Sequence, residues 1–122
     1  MFRNFVIALA VMLLPANAWS AGKFAPLTGV WIVRWMENDD TNPITLTEAN
    51  GVIAGTYKND SGYVCPVTGE RLANGSGMRF TVTCPNWRIE MDGAATPSAR
   101  MAAGKYLAYG DTWGAFVMTR QK

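Results

Sequence analysis

Seven aromatic side chains, Trp35, Tyr57, Phe80, Trp87, Tyr106, Tyr109 and Trp113, are the residues of this chain best equipped to do chemistry. Rings of this kind hold an apolar or planar molecule by area and stacking, while indole N–H and phenol O–H groups add directional contacts. The same rings can instead fill a small core, and residue type alone does not separate the two uses. Catalysis is a poorer fit. The chain has no histidine, which removes the commonest general base and metal ligand, and with it Ser-His-Asp and Cys-His nucleophiles. Ser20, Ser61, Ser76 and Ser98 stand near a terminus or in turn-like contexts, none in a Gly-x-Ser-x-Gly elbow. Glu37, Asp39 and Asp40 group together, but Glu37 to Asn42 lacks the ligand spacing of an EF-hand and reads as a polar loop. No glycine-rich phosphate cradle is present. The expectation is a protein that is not an enzyme and needs no cofactor or metal.

The segments that must position these rings follow an address. Arg3 precedes an unbroken apolar run from Phe5 to Leu14, Pro15 ends it, and Ala16-Asn17-Ala18 offers small residues for a signal peptidase. The run is shorter than the roughly 20 apolar residues that span a bilayer. Residues 1–18 thus read as a signal peptide, and residues 19–122 as one exported domain, periplasmic or extracellular, with no membrane span. The whole chain carries 11 basic and 9 acidic side chains, for a formal charge of +2. Near-neutrality and scattered charges exclude nucleic acid as a partner, which would want a clustered basic face. Cys65 and Cys84 are the only cysteines, each followed by a proline. In an oxidising compartment they are expected to form one disulfide, with two buried free thiols as the rival reading.

Turn signals recur at close spacing: Asn50-Gly51, Asp60-Ser61-Gly62, Asn74-Gly75, Asp92-Gly93 and Gly110-Asp111. Between them the alternation predicts eight short strands, near 30–36, 44–48, 52–58, 63–68, 78–84, 87–92, 105–109 and 113–120. Trp31, Val33 and Trp35 share one face of the first. Met78, Phe80, Val82 and Cys84 oppose Arg79, Thr81 and Thr83 on the fifth. Such patterns have one buried and one wet face, which is the antiparallel habit. Asn50-Gly51 is a strong hairpin signal. The stretch 97–103, opened by Thr96-Pro97 and closed by Gly104, accommodates one short helical turn or a plain loop. The fold class is therefore all-β, an eight-stranded antiparallel up-and-down barrel, because closure removes exposed edges.

Gly29-Val30-Trp31 on the first strand, with Arg120 closing the last, resembles the calycin signature of lipocalins, fatty-acid-binding proteins and avidins. The resemblance implies that Trp31 and Arg120 belong to the barrel floor. Leu27-Thr28-Gly29-Val30-Trp31, Gly55-Thr56-Tyr57, Pro66-Val67-Thr68-Gly69 and Phe80-Thr81-Val82 followed by Trp87 are similar, in order, to avidin segments. In avidins the matching Tyr bonds the ureido oxygen of biotin. Here Val33 stands where avidins have an Asn, no Ser follows until Ser61, and Phe116, Val117 and Met118 replace a polar partner. A site that loses its hydrogen-bonding partners loses most of its selectivity for a polar head. The resemblance thus implies an avidin-like or lipocalin-like barrel and not biotin binding. It also implies that barrels of this kind can pair as homo-oligomers through outer residues such as Ile32, Val117 or Met118.

Two functional readings follow. In the first, an exported barrel holds a small apolar or planar ligand in an aromatic-lined pocket of Trp35, Tyr57, Phe80, Trp87, Tyr109 and Trp113. In the second, the barrel is filled and meets a protein partner through loops such as Glu37 to Pro43 or Glu70 to Gly77, as a protease or lysozyme inhibitor would.

Overall fold

Alternating side chains with tight turns between them give eight strands. The computed structural model describes residues 24–122, so the expected signal peptide lies outside the described residues. The strands are β1 (Gly29–Trp35), β2 (Thr41–Ala49), β3 (Val52–Lys58), β4 (Val64–Arg71), β5 (Gly77–Cys84), β6 (Trp87–Ala95), β7 (Met101–Ala108) and β8 (Thr112–Arg120). Each pairs antiparallel with its neighbour in sequence, and β8 returns to β1 to close an up-and-down barrel. Asn50 and Gly51 both take positive φ, 53° and 80°, the pair that a two-residue type I′ hairpin requires. No helix occurs among the described residues, and none is long and apolar enough to cross a membrane.

Two expectations are corrected around β6 and β7. The stretch 97–103 holds no helical turn. Thr96 Oγ1 accepts hydrogen bonds from the N–H groups of Arg100 and Met101, and Ala99 turns the chain at a φ of 56°. Strand β7 then starts at Met101. Its alanines and glycine look tolerant of helix, but they are small because the wall is close: Ala95 faces Ala102 and Gly93 faces Gly104 across β6 and β7. For the same reason Asp92-Gly93 is not a turn. It lies within β6, where a Cβ on Gly93 would run into the Ala103 carbonyl.

The floor is packed. Leu27, Trp31, Leu46, Met78, Met91 and Met118 are fully buried at or near it. Met118 therefore faces inward, not outward with Ile32 and Val117. The Trp31 indole N–H donates to the Leu27 carbonyl at 2.9 Å. Arg120 is the register partner of Trp31, and its guanidinium lies over Gly29, where a Cβ would sit 2.9 Å from Nε. At the same end, Arg71 and Glu48 form a two-pronged ion pair (2.9 and 3.3 Å), their side chains only 8% and 11% exposed. Arg71 also donates to the carbonyls of Gly75 and Ala25, while Glu48 accepts from the Leu27 N–H. This cluster ties the entering segment to the ends of β2 and β4.

At the other end Cys65 and Cys84 form a disulfide across β4 and β5, with Cα atoms 5.0 Å apart and a sequence separation of 19. The β4–β5 register runs to Val67 and Val82, and the disulfide continues it by one further inward pair.

Replacing both cysteines by serine is expected to lower stability by about 3 kcal/mol in the loop-entropy account, read as a lower urea midpoint with unchanged far-ultraviolet dichroism. Arg71→Met leaves the Glu48 carboxylate buried without its cation and is expected to cost about 3–5 kcal/mol. Glu48→Gln in the same chain should restore part of that loss in a double-mutant cycle.

Candidate functional site

The inward side chains become fewer and more polar toward the end away from the floor. There the wall opens into a cup of about 380 Å³. It is bounded by the β1–β2, β3–β4 and β7–β8 loops and by the start of β6. A cup of this volume is at the small end of the range for ligand pockets.

One side of the cup is a chain of rings, each reaching the next edge-on or tilted. Tyr106 (β7) meets Trp35 (β1) at 4.9 Å between centroids, Trp35 meets Tyr57 (β3) at 6.2 Å, and Tyr57 meets Trp87 (β6) at 6.0 Å. Tyr109 follows Trp87 at 6.4 Å and stands at the rim, 68% exposed. T-shaped contacts place the positive edge of one ring against the negative face of the next. The disulfide supports this row, since Cys65 is the register partner of Tyr57 and Cys84 that of Trp87.

Most of the rest of the lining is polar. Asn42 is a buried polar residue whose Oδ1 accepts the Trp35 indole N–H at 2.9 Å. Its Nδ2 donates to Asp60 Oδ1 at 2.8 Å and to the Lys58 carbonyl at 3.2 Å. One amide thereby joins the β1 indole to the β3–β4 loop. Asn38, Asp40, Asn59, Ser61 and Thr112 complete the polar lining.

The three carboxylates of the β1–β2 region have separate partners and surroundings. Glu37 accepts from the Tyr106 hydroxyl at 2.8 Å and the Ala115 N–H at 2.9 Å, over the side-chain-free Gly114. Asp39 lies 3.8 Å from Arg34 in an exposed pair. Asp40 borders the cup. The Ala115 N–H, and after it the Tyr106 hydroxyl, hold the Glu37 carboxyl below its ordinary range. Tyr106 is pushed up to about 12, first by burial and then by the Glu37 carboxylate. Tyr57, only 3% exposed, is also raised to about 12. Burial is the largest cause; the Trp35 indole opposes it, and Asp60 and Asp40 add to the rise.

Of the residues singled out from sequence, Trp35, Tyr57, Trp87 and Tyr109 come together around the cup, with Tyr106. Phe80 and Trp113 do not. Phe80 is 1% exposed in the packed interior and borders the cup nowhere. Trp113 points outward, 62% exposed, with Lys105 Nζ 5.7 Å from its ring centroid. Thr112 before it takes the inward position, so the alternation at the start of β8 is offset by one from that expectation. Sequence reasoning missed Asn42 and Asp60. Asn42 lies one residue before Pro43, inside what read as a polar loop, yet β2 already starts at Thr41. An alternation of Asn42, Ile44 and Leu46 was the available signal.

The raised Tyr57 value makes a pH prediction. A phenol harder to ionise when folded contributes stability that is complete below its unfolded value of about 10 and is lost as pH climbs through about 12. Tyr106 acts with the same sign. The urea midpoint should fall over this alkaline window, and Tyr57→Phe should flatten the fall. No protein-family model matches the chain and no curated protein matches it, so the cup is interpreted from its own geometry.

Proposed function

We propose that this protein is an exported binding barrel of calycin type that holds one small molecule in its aromatic-lined cup. The observation that carries the reading is the division of the interior. The floor is filled by large apolar side chains, while at the opposite end five rings and several amide and carboxylate groups surround an open volume. The rings touch edge-on, are anchored by bonds to Asn42 and Glu37 and braced by the disulfide, and still border an open volume that they do not fill. Apolar area and a few placed polar groups are what a ligand pocket needs.

The proposed ligand is small, with an apolar or planar body that lies against Trp35, Tyr57 and Trp87. Binding occurs without turnover, in keeping with a chain that has no histidine. Export is part of the proposal, and the disulfide is in keeping with an oxidising compartment.

Native mass spectrometry of the unreduced protein, recovered from a bacterial periplasm, tests this reading. A defined extra mass that departs on activation is the expected result. Trp87→Leu should abolish that mass while shifting the unfolding midpoint little, because Trp87 is only partly buried. Trp113→Ala, outside the cup, should leave it in place. A bare polypeptide mass, with no small molecule changing the indole fluorescence, would overturn the proposal.

A further inference from the structure

The charge of the cup narrows the ligand, on the reading that the cup binds one. Its border contains two carboxylates, Asp40 and Asp60, and neither lysine nor arginine. Among the described residues the ion pairs of this chain lie elsewhere, at Arg34–Asp39, Arg71–Glu48, Arg79–Asp92 and Arg88–Glu90. Asp60 is fixed by a neutral donor, the Asn42 amide, which orients the carboxylate without neutralising it. The same cup is lined by Trp35, Tyr57 and Trp87, and Asn42 joins the Trp35 indole to Asp60.

We propose that the cup recognises a small organic cation, an ammonium group carried on an apolar body, seated between the rings and the Asp60 and Asp40 carboxylates. Aromatic faces attract a cation through their quadrupoles, most strongly when it is drawn out of water, and cages of such rings suit methylated ammonium groups. A carboxylate beside the cage supplies the opposite charge. An anionic ligand would meet two like charges with nothing to offset them. A neutral one would leave the carboxylates partly desolvated and unpaired.

A further observation agrees. The Tyr57 phenol lies 3% exposed at the cup, and the field of both carboxylates reaches its hydroxyl, since Asp60 and Asp40 each disfavour its ionisation. Negative potential therefore extends into the cup as well as along its rim.

The test is a titration of the folded, disulfide-bonded protein with choline and with 3,3-dimethylbutan-1-ol, its neutral isostere, followed by the indole N–H resonances of Trp35 and Trp87. Choline is expected to bind at least about tenfold more tightly than the isostere. Asp60→Asn keeps an oxygen for the Asn42 amide, so the fold is retained, and it should erase most of that preference. Asp40→Asn should reduce it further, and added salt should weaken choline alone. Equal or tighter binding of the isostere would overturn the cationic assignment and leave the binding cup standing. A neutral or anionic molecule retained in the native mass spectrum would do the same. Silence of both indoles toward both probes, with a bare mass, would overturn the assignment and the binding cup together.

Discussion

The pairing of β1 with β8 is the constraint on which everything else in this molecule depends. Trp31 to Trp35 lie against Phe116 to Arg120, and once that ladder forms, every strand has two neighbours and no edge is left. Closure also fixes which residues point inward, because a slip of one residue would reverse each strand. Trp31, Val33 and Trp35 face in, as do Phe116 and Met118. The narrow interior that results has room for large side chains only where the opposite wall is small. On β6 and β7 the paired Gly93 and Gly104 have a separate reason: a Cβ on either would meet the backbone of the neighbouring strand. Size alternates across the barrel as it must in any tapering interior.

Most of this architecture was legible in the chain because period-2 alternation is a local signal. The buried rows of β1, β5 and β6 follow directly from it, as does the Asn50-Gly51 hairpin. The errors arise where composition, not periodicity, was the guide. The alanines between Ala99 and Gly104 look tolerant of helix by propensity, yet β7 begins at Met101, and its inward positions Ala102 and Gly104 are small where β6 presses on them. Asp92-Gly93 looks like a turn, but the glycine is there because Ala103 presses on it from β7.

The cup was legible only in part, for a different reason. Aromatic residues on inward positions can be listed from a sequence, but their height along the barrel depends on the shear between strands. Phe80 and Tyr57 both point inward, and only the second reaches the open end. Trp113 shows the converse: a residue at the correct height that faces the solvent. The polar lining was harder still. The bond from Trp35 to Asn42 and on to Asp60 joins groups 7 and 18 residues apart, and such a network has no sequence period.

The packed floor and the open cup lie at opposite ends of the barrel. At the floor, the packed apolar side chains, the Glu48–Arg71 pair and the Trp31–Leu27 bond close the structure and leave little to vary. Toward the cup the packing of the rings is supplemented by other bonds. Asn42 holds the Trp35 indole, Glu37 holds the Tyr106 hydroxyl, and the disulfide lies beside Tyr57 and Trp87. An open pocket forfeits the dispersion contacts that a filled one would gain, so a wall around empty space needs such supports. The covalent bond is best used there. It holds β4 and β5 together just beyond Val67 and Val82, where the ladder ends and prolines follow both cysteines. A cup built this way keeps its rings in place, so on the proposed reading a ligand would not have to supply the free energy of ordering them.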